Sequence, residues 1–242
     1  LIVTVHLASH YSDTQHKLSD VLADIAKGPA SESLREQAEI RAWLDAAAHD
    51  FDVRNLDVHG AATEHQAVAH ARLADLICLT HARSHGLLRR TLLEDILFKS
   101  GRPVLLMPED KARGREWRRA VIGWNGSAQA VRALAGALPL LQHCEAVVIA
   151  TVDANRDVAV AGKKPGEDVA AYLAAHGVKA DVRNLDSMGR SDARALVDEA
   201  VAIDADLLVL GAYGHSRAEE RIFGGATREL LEATPLPLLL AH

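Results

Sequence analysis

The sequence predicts an α/β protein of two tandem, doubly wound domains. Each is built on a five-stranded parallel sheet, and the first lacks its first strand and helix in this chain. Three observations lead there. Short, near-continuous aliphatic runs alternate with helical stretches along the chain. The hexapeptide DVRNLD occurs twice, at Asp52–Asp57 and Asp181–Asp186, and the neighbours of the two copies repeat in the same order. Apolar runs without polar alternation belong to strands buried on both faces, as in a parallel sheet covered by helices. Strands and helices taken in turn then wind with right-handed crossovers.

The repeat extends well beyond the hexapeptide. ADLICLT at Ala74–Thr80 answers ADLLVLG at Ala205–Gly211, and RPVLLMP at Arg102–Pro108 answers LPLLLAH at Leu236–His242. Upstream, LIVTVHL at Leu1–Leu7 answers VVIATVD at Val147–Asp153. Ordered matches of this kind mark two homologous units, and 242 residues suit two domains of about 120 each. The first domain is read as residues 1–110, the linker as 111–117 and the second domain as 118–242.

In the first domain, SLRE at Ser33–Glu36 is a capping box that opens a helix running through Asp45. In the second, aliphatic runs place strands at Ala120–Trp124, Ala146–Val152, Ala180–Leu185, Asp206–Gly211 and Pro237–Leu240. Helical patterns fall between them at Ala128–Leu141, Gly166–His176, Ser191–Ile203 and Thr227–Ala233. Nothing ahead of Leu1 matches Arg118–Glu145, so roughly 30 to 40 further N-terminal residues are expected in the natural protein.

Composition narrows the function classes. Hydrophobic residues make up 49% and charged residues 25%, as in an ordinary globular protein. Only 4% is aromatic, so the core must come from Ala, Leu and Val. The net charge is −6, and the longest basic stretch is the short one around Lys111–Arg119, which argues against nucleic acid as a partner. A small nucleotide needs no basic face, because backbone N–H groups can hold its phosphates. Cys78 reads as a buried strand thiol and Cys144 precedes a strand. Neither belongs to a metal or disulfide pattern, so a cytoplasmic setting is expected. The least polar long window, Ala133–Val152, contains Pro139, Gln142, His143 and Glu145, and reads as a helix entering a strand rather than a membrane span.

Ligands of open α/β sheets bind outside the carboxyl ends of the strands. After Leu210 comes GAYGHSRAEERIFGGATRELL. Gly211 and Gly214 let the backbone turn tightly and approach a ligand. Gly224, Gly225 and Ala226 open the last helix, where free N–H groups and the dipole favour an anion. A phosphate chain is the natural guest of this loop, whose candidate residues also include His215, Ser216, Arg217 and Thr227. From the other strand ends, Asn125 offers an amide to an adenine or ribose edge. Ser127 caps the helix at Ala128, and Thr151 and Val152 close over a base.

The spacing G-x2-G-x9-G at Gly211, Gly214 and Gly224, with Asn-Gly-Ser at Asn125–Ser127, resembles the universal stress protein family. The resemblance covers the second domain and, more weakly, the first, as in a tandem member with Rossmann-like domains. It implies a stress-response protein that binds ATP, with or without Mg2+. It also implies that Pro103–Met107 and Pro237–Ala241, apolar edges if left unpaired, pair across a two-fold axis as an intrachain pseudo-dimer, with a homodimer as a further level of assembly. Gly225 stands where ATP-binding members carry Ser or Thr, and Asn125 where Asp is usual. One lost hydroxyl removes about 1 kcal/mol of phosphate bonding.

The first domain keeps the scaffold without the cradle. Thr80 and Arg83 stand in the places of Gly211 and Gly214, and HARSHGLLRRTLLED supplies no glycine pair before its helix. A β-branched Thr is unfavourable where φ must be positive. One site per chain is therefore expected. Other chemistries find less support. Ser216 would need a glycine at Ala218 to form a nucleophile elbow, and neither a P-loop nor an H-E-x-x-H helix is present. His6, His10, His81 and His85 read as scattered surface histidines among thirteen, with no metal expected. Arg217, Arg221 and Arg228 read as a solvated face. The loops offer no recognisable base or metal-binding carboxylate, so the expectation is binding, with weak ATP hydrolysis at most. The alternative is an interaction module whose glycine loop is a relic.

Overall fold

The computed structural model describes residues 2–4, 61–81, 87–108, 117–154, 166–212, 230 and 235–242. The capping box at Ser33–Glu36, the first DVRNLD copy and all but Leu230 of the helix expected at Thr227–Ala233 lie outside them. The described elements of the first half are β1 (Ile2–Thr4), α1 (Ala61–Ala71), β2 (Leu76–His81), α2 (Leu87–Lys99) and β3 (Val104–Pro108). Those of the second half are β4 (Arg119–Gly123), α3 (Ala128–Leu141), β5 (Ala146–Val152), α4 (Glu167–Ala175), β6 (Ala180–Leu185), α5 (Asp192–Ala202), β7 (Leu207–Gly211) and β8 (Leu238–Ala241). The strands form one eight-stranded sheet in the order β1-β2-β3-β8-β7-β4-β5-β6. That sheet falls in the compact unit made by Leu1–Val5 with Glu64–His242; of a second unit, His6–Thr63, only residues 61–63 are described.

Every pairing within each half is parallel, and the halves meet in one antiparallel pairing. There Val104 faces Leu240, Leu105 faces Leu239 and Leu106 faces Leu238. All six side chains are buried. Leu105 and Leu239 belong to a single apolar cluster with Ala133, Leu134, Ala137 and Leu141 of α3. On α3 those residues recur three and four apart, so one stripe of the helix faces the sheet. The opposite approach is just as tight at Gly136, where an added Cβ would lie 2.7 Å from Pro103 Cβ and 2.8 Å from Pro103 Cγ. With few aromatics to fill space, small residues let this helix settle close to the strand ends of both halves.

The registers of the two halves agree. Ile77 faces Val104 and Thr80 faces Met107 in the first half, as Leu208 faces Leu238 and Gly211 faces Ala241 in the second. Thr80 thus stands in the sheet where Gly211 stands. The sequence match of Leu1–Leu7 to Val147–Asp153 differs from the observed pairing. β1 runs beside β2, Ile2 facing Leu76, which is the place β4 holds beside β7, with Ala120 facing Leu207. Two strands of similar aliphatic make-up are interchangeable as sequence, and only the neighbouring strand tells them apart.

One buried carboxylate fixes where the second half begins. Asp206 Oδ2 accepts hydrogen bonds from the backbone N–H groups of Arg118 and Arg119, both at 2.9 Å, and Asp206 N donates to Arg119 O at 2.7 Å. The entry to β4 is thereby tied to the start of β7. At the far edge, β6 departs from the all-buried expectation, because Asp181, Val182, Arg183 and Asn184 are exposed. Edge strands carry polar and charged residues for this reason.

Neither cysteine is in a disulfide. Burial pushes the Cys78 thiol from its ordinary 9.0 up to about 11, and burial together with the nearby Asp206 charge does the same to Cys144. Both thiols are half-buried rather than fully enclosed. A pKa raised in the folded state favours that state below about pH 9, and this contribution is lost as pH rises through about 11. At pH 8 the native thiolate population should be roughly a hundredfold below that of the unfolded chain. Iodoacetamide labelling followed by mass spectrometry should show both cysteines slow in buffer and fast in urea; rapid labelling of the native protein would contradict the burial described.

Candidate functional site

The second half leads the chain from β4 outward through β5 to β6, then back across to β7 and β8. β4 and β7 are therefore neighbours at which the strand order reverses. Outside their carboxyl ends lies the crevice where such sheets take ligands. Both strands end in glycine, Gly123 and Gly211. A Cβ on Gly211 would fall 2.7 Å from Gln129 C and 2.9 Å from Ala130 Cα, and against Ala130 N as well. These are backbone atoms of a helix, which cannot swing aside. A Cβ on Gly123 would instead run into the side chains of Leu210 and Leu196. Glycine at 211 is thus what allows the end of β7 to lie directly against the first turn of α3.

That first turn is built with care. Gly126 takes φ +73°, and Asn125 Oδ1 accepts from Ser127 N at 3.1 Å. Ser127 Oγ accepts from Ala130 N at 3.1 Å and caps the 14-residue helix. Asn125 is exposed. The asparagine expected to face a base therefore also shapes the turn that aims the positive end of α3 at the crevice.

Beyond β4 stand the ends of β5 and β6. Thr151 is buried, and its hydroxyl donates to Asn184 Oδ1 at 3.1 Å, an oxygen that also accepts from Ala154 N at 3.1 Å. The Thr151 hydroxyl is thus engaged within the sheet, and Val152 is the partly exposed residue that follows it. Asp153 adopts φ +52°, an uncommon conformation outside glycine. It is held there by Asp153 N donating to Leu185 O at 2.9 Å. Its carboxylate accepts from Ser187 N at 3.2 Å and Ser187 Oγ at 2.7 Å. Sequence reasoning passed over Asp153, Asn184 and Ser187. The available signal was the repeated DVRNLD itself, whose second copy carries Asn184.

Gly214, His215, Ser216, Arg217, Gly224, Gly225, Ala226 and Thr227 lie outside the described residues, as do His6, His10, Arg83 and His85. The flanks of the loop are described: Gly211 and Ala212 before it, and Leu230, helical and buried, after it. At the other end of the sheet, Trp117, Arg118, His143 and Glu145 line a cavity of about 350 Å³ beside the amino ends of β4 and β5. It lies away from the crevice. Among the described residues no group of His, Cys, Asp or Glu is placed to hold a metal ion. None of their helices is long and apolar enough to cross a membrane.

The sequence profile of the universal stress protein family matches residues 116–242, just over half of the chain. The chain belongs to that family. Its fold is shared with a universal stress protein from Archaeoglobus fulgidus DSM 4304 at TM-score 0.68 and 19% identity, over 93% of this chain and 83% of that one. A putative universal stress protein from Pseudomonas aeruginosa UCBPP-PA14 superposes at TM-score 0.55 and 14% identity, over 99% and 91% of the two chains. A functionally unknown protein from Pseudomonas aeruginosa PAO1 superposes at 0.52 and 13%, again over 99% and 91%. At such identities the likeness is one of fold. No curated protein matches the chain.

Universal stress protein architecture thus comes here with a β7 end that admits no side chain. Gly211→Ala should force α3 and β7 apart and lower stability by about 1–3 kcal/mol, read as a lower urea midpoint at unchanged slope. An unchanged midpoint would show that the helix start is not pressed on the strand.

Proposed function

We propose that this universal stress protein holds one ATP-type adenine nucleotide per chain, in its second half, and serves as a nucleotide-binding stress-response protein rather than a catalyst. The observation that carries the reading is Gly211. It ends the strand at the order reversal, lies against a helix N-terminus, and begins the spacing Gly211-x2-Gly214-x9-Gly224. The backbone N–H groups of Gly214, His215, Gly224, Gly225 and Ala226 are proposed to take the phosphates, with Ser216, Arg217 and Thr227 beside them. Asn125 and Val152 flank the base. Thr80 in the place of Gly211 leaves the first half without the equivalent approach.

Further parts of the reading follow the same logic. Mg2+ accompanies ATP only through phosphate oxygens, since no described cluster of side chains would hold it alone. The antiparallel pairing of β3 with β8 supports an intrachain pseudo-dimer of the two halves, and a homodimer remains a further level of assembly. A cytoplasmic location fits two thiols in no disulfide. Hydrolysis, if measured at all, should be weak. Gly225 in place of a hydroxyl-bearing residue should weaken binding a few-fold.

Calorimetric titration with ATP should give one site per chain. Gly224→Asp would put a Cβ and a negative charge against the phosphates, costing several kcal/mol and at least about a hundredfold in affinity. Arg83→Asp, at the first-half position that answers Gly214, should leave the titration unchanged. Two sites per chain, or full affinity in Gly224→Asp, would end this reading in favour of an interaction module with a relic loop.

A further inference from the structure

Ala212 is the last described residue before the glycine loop, and it is gripped from two sides. Its N–H donates to Ala241 O at 2.8 Å, and its carbonyl oxygen lies 3.2 Å from His242 Nδ1. A carbonyl only accepts, so this bond requires the imidazole proton on Nδ1. The His242 ring is itself placed by Phe98 of α2, edge to face, with centroids 4.6 Å apart and planes at 72°. Ala212 is fully buried.

The first half cannot build this grip. By the shared register, Pro108 stands where His242 stands and His81 where Ala212 stands, and His81 faces Pro108. A proline side chain has no hydrogen-bond donor. The grip therefore occurs in the same half as the glycine motif and is missing where the motif is missing. It also crosses the seam between the halves, because Phe98 belongs to the first and Ala212 to the second.

We propose that His242, steadied by Phe98, is a positioning residue that fixes the root of the nucleotide loop, so that binding in the second half depends on a helix of the first. This deepens the nucleotide reading above and rests on it. The physical basis is preorganisation: a loop whose first residue is already fixed loses less conformational freedom when a ligand orders it.

The test compares wild type, His242→Ala, Phe98→Ala and His242→Asn, whose amide nitrogen can replace Nδ1 as donor. ATP affinity is measured by calorimetry and amide exchange by NMR in the ATP-free protein. His242→Ala and Phe98→Ala should weaken ATP roughly fivefold. They should also speed exchange at Ala212 while leaving Leu208 and Val209 unchanged, and His242→Asn should restore both properties. Unchanged exchange at Ala212 overturns the proposal, as does faster exchange spread evenly through β7 and β8, which would mark general loosening. If the wild type binds no ATP, the nucleotide reading falls by itself. Exchange at Ala212 and its rescue by asparagine then decide the positioning role alone.

Discussion

The sheet depends on the antiparallel meeting of β3 and β8. Each half would otherwise present a strand of consecutive aliphatic residues with an open row of N–H and C=O groups, the arrangement that invites aggregation. Paired, the six facing residues are removed from solvent, and Leu105 and Leu239 join one apolar cluster with the inner face of α3. Fully burying a leucine contributes about 1.5–3 kcal/mol. Six such aliphatic residues make the seam a major source of cohesion rather than a point of contact. Its register is symmetric with respect to the repeat: Leu105 and Leu239 correspond in sequence, and they face each other.

On this symmetric scaffold the two ends of the crevice-bearing strands are unlike. β7 ends in a glycine pressed on a helix start, with the following residue gripped by His242; β2 offers Thr80 and His81 opposite Met107 and Pro108. The strand register recurs in the two halves, but a close backbone approach is possible only where no side chain blocks it. A single β-branched residue closes it. The two halves thus differ at these strand ends by a few residues set on matching strand registers.

Much of this plan was legible in the sequence because it rests on periodicity and caps. α3, β5 and β6 begin and end where the apolar pattern and Ser127 place them, and β4 lies one residue from its expected span. The position of Thr80 followed from the repeat alone and is met in the register. What the sequence did not reveal is what depends on neighbours in space. The pairing of β1 with β2 cannot be distinguished from an aliphatic run. Exposure of β6 follows from its place at the edge rather than from its residues alone. The engagement of Thr151 by Asn184 and the grip of His242 on Ala212 join residues 33 and 30 positions apart. Patterns read along the chain do not carry such contacts.

The central claim is that a symmetric double scaffold carries one nucleotide site, at the carboxyl ends of β4 and β7. Following backbone amide shifts by NMR as ATP is added tests it most directly, because it reports place as well as occurrence. The account predicts saturable shifts at Gly123, Asn125, Val152 and Gly211, with Leu79, Thr80 and His81 unmoved. Shifts centred on Thr80 and His81, or none at any of these positions, would contradict it.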